Sequence, residues 1–187
     1  MEQKEHLTET GLAKIVAIKA SMNKGLSPKL LEYFPNILPV SRPIVKDQEI
    51  KDSNWFAGFA SGECCFQIKT FKSKTTVGEA VRLEFGIAQH LRDEQLIRSL
   101  VQFWGCGDVF VRLNQPAVDF RIQKFSDLIE KVIPFFQKYP ILGVKAKDFV
   151  DWCKVAEMMQ KKTHLTLEGL DQIRKIKVGI NTGRKFD

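Results

Sequence analysis

The sequence predicts an α+β fold: a helix and two strands, a second helix and two more strands, then closing helices, all preceded by a separate helix and a linker. Three observations predict it. Segments of alternating apolarity fall in two pairs, at 65–71 with 80–89 and at 108–114 with 117–123, as half-buried strands require. Segments of helical spacing separate and follow these pairs. The third observation is that one twenty-residue stretch occurs twice.

The repeat sets the domain organisation. HLTETGLAKIVAIKASMNKG begins at His6 and HLTLEGLDQIRKIKVGINTG at His164, an offset of 158 residues with ten of the twenty positions identical. The matches include His6/His164, Thr8/Thr166, Leu12/Leu170, Ile15/Ile173, Ile18/Ile176 and Asn23/Asn181. Each copy reads as an amphipathic helix, capped by its Thr and stopped by Gly25 or Gly183. A duplicated unit of about that period is implied. Residues 1–25 are then the closing helix of a preceding repeat, 26–53 a linker, and 54–187 one complete unit. The linker holds Pro28, Pro35, Pro39 and Pro43 and is expected to run extended.

Within the complete unit, Asn54 is placed to cap a short helix, WFAGFASGE. The strand CFQIKTF sets Phe66, Ile68 and Thr70 against Gln67 and Lys69, and AVRLEFGIAQ sets Val81, Leu83, Phe85 and Ile87 inward. A basic loop, FKSKTTVG, joins them. DEQLIRSLVQFWG has helical spacing and stops at Gly105; a hairpin turning at Gln115-Pro116 follows. Ser126 is placed to cap DLIEKVIPFFQKY, and a long helix is expected from Lys145 towards Lys161. Trp104 and Trp152 sit in apolar spacing and read as core.

Composition narrows the function. Twenty-nine Lys and Arg against twenty-two Asp and Glu give +7, which suits a polyanionic partner, nucleic acid ahead of an acidic membrane, and equally a basic protein whose charge serves solubility. Cys64, Cys65, Cys106 and Cys153 form no CxxC pair and no disulfide framework, so a reducing compartment is expected. The charged start MEQKEHLTET is neither a secretory signal nor an Arg-rich presequence, and no stretch reaches membrane-span length. That leaves the cytosol, or synthesis inside an organelle.

The chemistry concentrates in WFAGFASGEC, Trp55 to Cys64. Gly58 and Gly62 each cost a helix about 1 kcal/mol relative to Ala, so they need a reason. The usual one is close approach of another backbone, and Ala57, Gly58, Ser61 and Gly62 form the candidate helix interface. Glu63 meets the negative end of the helix dipole, unfavourable without a cation nearby. A divalent metal held by Glu63 and the Gly62 carbonyl would resolve that.

FAGFASGEC resembles the signature helix of the LAGLIDADG homing endonucleases, with Glu63 where that family places its metal-binding acid. The resemblance extends over GIAQHLRDEQL, FWGCG, FSDLI with IPFF, YPILGVKAKDFVDWCKVAEMM, HLTLEGL and the connector SMNKGLSPKLLEYFPNILPVSRP, essentially the whole chain. The ordered set is similar to the second half of double-motif enzymes encoded in organellar introns, and so implies mitochondrial or other organellar synthesis. It implies an αββαββα half-domain with a four-stranded antiparallel concave sheet over double-stranded DNA. It further implies that two signature helices pack at the centre and that magnesium assists hydrolysis of both strands. By motif position the resemblance implies that Gln89 and Lys145 join Glu63 as catalytic residues.

On such a sheet Gln67, Lys69, Arg82, Glu84, Arg112, Asp119, Arg121 and Gln123 would face bases and phosphates, while Lys72 and Lys74 suit phosphate. The plainer reading of all these is a solvated face. Two departures stand out: Cys64 occupies the position where the family has a small glycine, and the chain supplies one acid where double-strand cleavage needs two. Two readings stay open. One is an endonuclease completed by a homodimer or by a half-domain in trans. The other is a non-cutting protein, a maturase or a component of a ribonucleoprotein, that binds structured RNA or DNA.

Overall fold

The computed structural model describes residues 4–22, 24–42, 45 and 48–184. Asn23 of the repeat and Pro43 of the linker lie outside them. The chain divides into two compact units, 1–47 and 48–187.

In the first unit a 3-10 turn, Glu5–Leu7, leads into α1 (Glu9–Ser21). The Thr8 hydroxyl accepts the Gly11 N–H at 3.0 Å, the expected cap. Gly11 is required there, since an added Cβ would lie 1.8 Å from the Glu5 carbonyl oxygen. The helix stops at Ser21, short of Gly25, the expected stop. The linker is not wholly extended, because Ser27 caps a short helix, α2 (Pro28–Tyr33), with its proline in the first turn. Further on, the Val40 N–H donates to the Ala17 carbonyl at 3.2 Å, and the Arg42 Nε donates to that of Ser21.

The second unit begins with α3 (Ser53–Glu63). Its cap is Asp52, not Asn54: the Asp52 carboxylate accepts the N–H groups of Asn54 and Trp55 at 2.6 and 3.1 Å. A carboxylate at the positive end of the dipole is the stronger cap. Strand β1 (Cys64–Lys72) follows without a loop and pairs antiparallel with β2 (Glu79–His90), Phe66 opposite Phe85. Helix α4 (Glu94–Trp104) ends at Gly105 in the left-handed conformation. The hairpin of β3 (Asp108–Val111) and β4 (Ala117–Ile122) completes a four-stranded open antiparallel sheet in the order β1-β2-β4-β3.

The next helical stretch runs as α5 (Phe125–Asp127), a π turn (Leu128–Val132) and α6 (Ile133–Lys138). Ser126 lies inside its first turn and does not cap it. Pro134 has no N–H to return to the carbonyl four residues back, and the widened turn lies just ahead of it. Helices α7 (Lys145–Gln160) and α8 (Leu167–Val178) close the unit, α8 ending before Gly183, its expected stop. Thr166 caps α8 as Thr8 caps α1, and a Cβ on Gly169 would lie 2.0 Å from the Thr163 oxygen. The two copies therefore share the same local structure.

One face of the sheet is apolar. Phe66, Ile68, Leu83, Phe85, Ile87, Val118, Phe120 and Ile122 are buried beneath the helices. Phe56 of α3 packs among the rings of Phe103, Trp104, Phe135 and Phe136 at centroid distances of 4.9–6.2 Å. The Trp152 indole N–H donates to the Gln67 carbonyl at 3.2 Å, fixing α7 over β1. Trp104 and Trp152 are core residues, as their spacing predicts.

Candidate nucleic-acid interface and acidic centre

The opposite face of the sheet is polar, because side chains alternate along each strand. Gln67, Lys69, Arg82, Glu84, Asp119 and Arg121 lie on it. Lys69, Glu84, Gln123, Arg121, Asp119 and Arg112 form one connected network. Lys69 Nζ and Gln123 Nε2 donate to the same Glu84 oxygen at 2.7 and 2.5 Å, and Arg121 Nε stands 3.9 Å from the other. Arg121 also donates to Asp119 at 3.0 Å, and Arg112 grips Asp119 through two nitrogens at 2.6 and 2.8 Å.

Glu84 and Asp119 are only 1% and 4% exposed, so neither offers a free carboxylate to a base. Their part is to hold the cations above them. The Arg112 hydrogen bond keeps the Asp119 carboxyl below its usual range despite partial burial. Lys69, Arg112 and Arg121 remain partly exposed, each with donor capacity left. Lys72 and Lys74 stand exposed at the β1–β2 turn.

Two aromatic residues on this face escaped the sequence reading. The Arg82 guanidinium lies 5.5 Å above the Phe71 ring and that of Arg121 5.3 Å above Phe110. Both rings are exposed. Phe71 alternates in step with Gln67 and Lys69, which was the available signal.

The acid lies at the end of α3. Glu63 is the last helical residue and is exposed. Lys145, in the first turn of α7, reaches across: its Nζ donates to the Gly62 carbonyl at 3.2 Å and also to that of Cys64. An ammonium thus meets the carbonyl end of the helix, which is favourable. Glu63, Gly62 and Lys145 therefore come together. Gln89 lies two positions along β2 from Ile87, the partner of Cys64, on the helix-bearing side of the sheet. No hydrogen bond joins it to the other three among the described residues.

These donors suit a hard divalent cation: the Glu63 carboxylate and the Gly62 carbonyl are both oxygen ligands, and that carbonyl keeps a second lone pair. Among the described residues no three His, Cys, Asp or Glu gather into a self-sufficient metal cluster. One chain brings one acid to this point.

The four candidate interface residues divide. Gly58 and Gly62 are exposed, and a Cβ on either meets nothing within 4 Å. Ala57 is buried in its own unit, and the Ser61 hydroxyl is engaged there, donating to the Ala57 carbonyl at 2.7 Å and accepting the Leu142 N–H at 3.1 Å. The residue that does share the open face is Trp55, at helical spacing from Gly58 and Gly62. It is 50% exposed and stacked on Phe59 at 5.4 Å. Cys64 points away from this face into the core, and burial pushes its thiol up to about 12.

A four-stranded sheet with one cation-lined face, and a glycine-bearing helix carrying an acid to its end, define an α+β unit with a cationic sheet surface and an exposed acid beside it. The LAGLIDADG endonuclease family model matches residues 56–156, more than half of the chain, and the chain belongs to that family. It is 38% identical over 174 residues to the probable intron-encoded endonuclease 3 of Neurospora crassa, covering 92% of this chain and 33% of that protein. Against the probable intron-encoded endonuclease 2 of the same fungus it is 38% identical over 187 aligned residues, covering 95% and 40%.

Among solved structures, the I-SmaMI LAGLIDADG homing endonuclease bound to cleaved DNA superposes with a TM-score of 0.92 at 46% identity, covering 99% of this chain and 62% of that one. I-LtrWI bound to target DNA gives 0.89 at 44%, covering 98% and 62%. I-SmaMI is also known bound to uncleaved DNA target in the presence of calcium ions. The chain thus spans a third to two-fifths of these curated relatives and under two thirds of the solved enzymes.

Proposed function

We propose that the chain is one half of a site-specific DNA endonuclease, contributing one acid to a two-acid centre and a preset reading face to half of the target. The observation that carries this is the meeting of Glu63, the Gly62 carbonyl and Lys145 at the end of α3, beside an open glycine face. Glu63 and Gly62 would hold a divalent metal, magnesium by preference, which when bound activates water and stabilises the leaving oxygen. Lys145 holds the carbonyl end of α3 and places positive charge near an incoming phosphate. Gln89 is assigned to positioning water. Lys69, Arg112, Arg121, Gln123 and the stacked Arg82 address base edges and phosphates; Lys72 and Lys74 address the backbone. That the relatives are named as intron-encoded supports an origin in an organellar intron.

A second reading, a non-cutting protein that binds DNA or structured RNA, is favoured by the single acid at the site. Metal-dependent cleavage separates the two. With magnesium and a pool of double-stranded targets, the chain joined by a complementary half is expected to cut, and Glu63→Gln to abolish cutting while binding changes less than about threefold. Equal cutting by Glu63→Gln would overturn the assignment. Binding should weaken steeply with salt, as counterions are released from each neutralised phosphate.

A further inference from the structure

The polar face of the sheet carries two exposed rings among its charges. Phe71 and Phe110 are 45 and 46% exposed. A lone exposed phenylalanine is ordinary, but these two share one setting. Each lies on an outer strand of the sheet, β1 or β3, diagonal to an arginine of the neighbouring strand. Phe71 pairs with Ala80, two positions from Arg82, and Phe110 pairs with Asp119, two positions from Arg121. The guanidinium carbon stands 5.5 and 5.3 Å from the ring centroid in the two cases, within cation–π range.

The stacking orders cation and ring together. Arg82 has no hydrogen-bond or ion-pair partner among the described residues, so the ring is what holds it, and its donor edge stays free. Arg121 is tethered to Asp119 as well, at 3.0 Å. Each unit therefore presents apolar ring surface beside a fixed cation. Phe71 also walls an open cavity of about 600 Å³ with Lys69, Arg82 and Lys177, where an anionic backbone is drawn in. Among the base edges of the major groove, the apolar group on offer is the C5-methyl of thymine, and phenylalanine is one of the side chains that meets it.

We infer that Phe71 and Phe110 each receive a thymine methyl in the major groove, and that Arg82, the freer cation, takes O6 and N7 of a guanine next to the first thymine. Phe71 is level with Ala80 on β2 and Phe110, through Asp119, with Ala88, eight residues further along that strand. Eight residues span about 27 Å, which sets the two thymines roughly eight steps apart at about 3.4 Å per base pair. RNA lacks this methyl, so the same rings favour DNA. The inference rests on the DNA-binding reading above and adds to it which base two side chains select.

The test selects duplexes from a random-sequence pool with the full chain at low salt, then replaces each enriched thymine singly by deoxyuridine, which removes only the methyl. Binding is expected to weaken about fourfold at two positions, the contribution of one buried methyl group, and to hold elsewhere. Phe71→Ala should abolish the effect at one position and Phe110→Ala at the other. Each variant should stay sensitive at the opposite position, which shows that it is folded, and Phe71→Leu should keep both. Arg82→Met should relax the guanine preference beside the Phe71 thymine alone. Uracil and thymine bound equally throughout, sensitivity that survives in both alanine variants, or binding with no enriched sequence would overturn the inference and leave DNA binding standing. A chain that binds no duplex at all would overturn the DNA-binding reading, and this inference with it.

Discussion

Lys145 Nζ donates to the Gly62 carbonyl across 3.2 Å, although the two residues are 83 positions apart in the chain. The contact ties the start of α7 to the end of α3, beside the acid. Lys145→Met is expected to slow cleavage by about tenfold or more, since an electrostatic group at a phosphate site contributes at least that much. DNA binding should change less than about threefold. Single-turnover cleavage and mobility-shift titration on the same preparation check it, and a loss confined to binding would make Lys145 a plain phosphate contact.

Gly58 gives a variant whose two effects have opposite signs. An added side chain meets nothing within 4 Å in this chain, and replacing a helical glycine removes a cost of about 0.5–1 kcal/mol. Gly58→Leu should therefore hold or raise the melting temperature of the isolated chain, by roughly 2–4 °C. The same leucine should block the approach of a second signature helix and abolish double-strand cleavage. A destabilised chain would show that the face is already occupied.

How much of this was legible in the sequence depended on whether a local pattern encoded it. Strand pairing followed from alternation, because Phe66, Phe85 and Phe120 each fall on the apolar beat. Capping was less legible: Asn54 reads as the cap, yet Asp52 takes the role because its carboxylate accepts the N–H groups of Asn54 and Trp55. Tertiary occupancy was not legible at all. Glu84 reads as an outward charge, yet its burial depends on Lys69 and Gln123, 15 and 39 residues away. Ser61 likewise looks like an interface serine until Leu142 binds it.

The network on the polar face should make equal-looking lysines unequal. Lys69 is the ion partner of a buried carboxylate, whereas Lys72 is exposed. Lys69→Ala is expected to destabilise by about 1–3 kcal/mol, the cost of leaving a buried group under-satisfied, while Lys72→Ala stays within about 0.5 kcal/mol. Denaturant midpoints at unchanged slope measure both. Equal effects would mean that Glu84 finds sufficient partners elsewhere.

Asp119 sets a pH dependence whose sign is fixed. Its carboxyl is held below the ordinary value of 3.8, foremost by the Arg112 hydrogen bond, so its contribution to stability is present above that value and is lost as pH falls below it. The stability difference between wild type and Asp119→Asn should be flat from about pH 8 to pH 5 and should vanish under stronger acid. Urea midpoints across that range test it; a difference that fades near pH 6 would point to another group.

Cys64 behaves in the opposite sense. Burial raises its thiol from 9.0 to about 12, so the neutral form is favoured in the fold, and its contribution is complete below 9 and lost as pH climbs towards 12. Iodoacetamide at pH 8 should modify it only as fast as the fold opens. Cys64→Gly, which removes a buried side chain and adds backbone freedom at the start of β1, should cost roughly 1–3 kcal/mol. Rapid alkylation of the native chain would place the thiol outside the core.

The carboxylates beneath the polar face also bear on redesign. Lys69, Gln123, Arg121 and Arg112 are linked through Glu84 and Asp119, so their positions are jointly determined. Under the proposed function, exchanging one of them to favour a new base pair would release its neighbours from their rotamers and blur selectivity at adjacent base pairs. Retargeting would have to replace whole clusters at once, with the alphabet of the face being words of three or four side chains and not single letters.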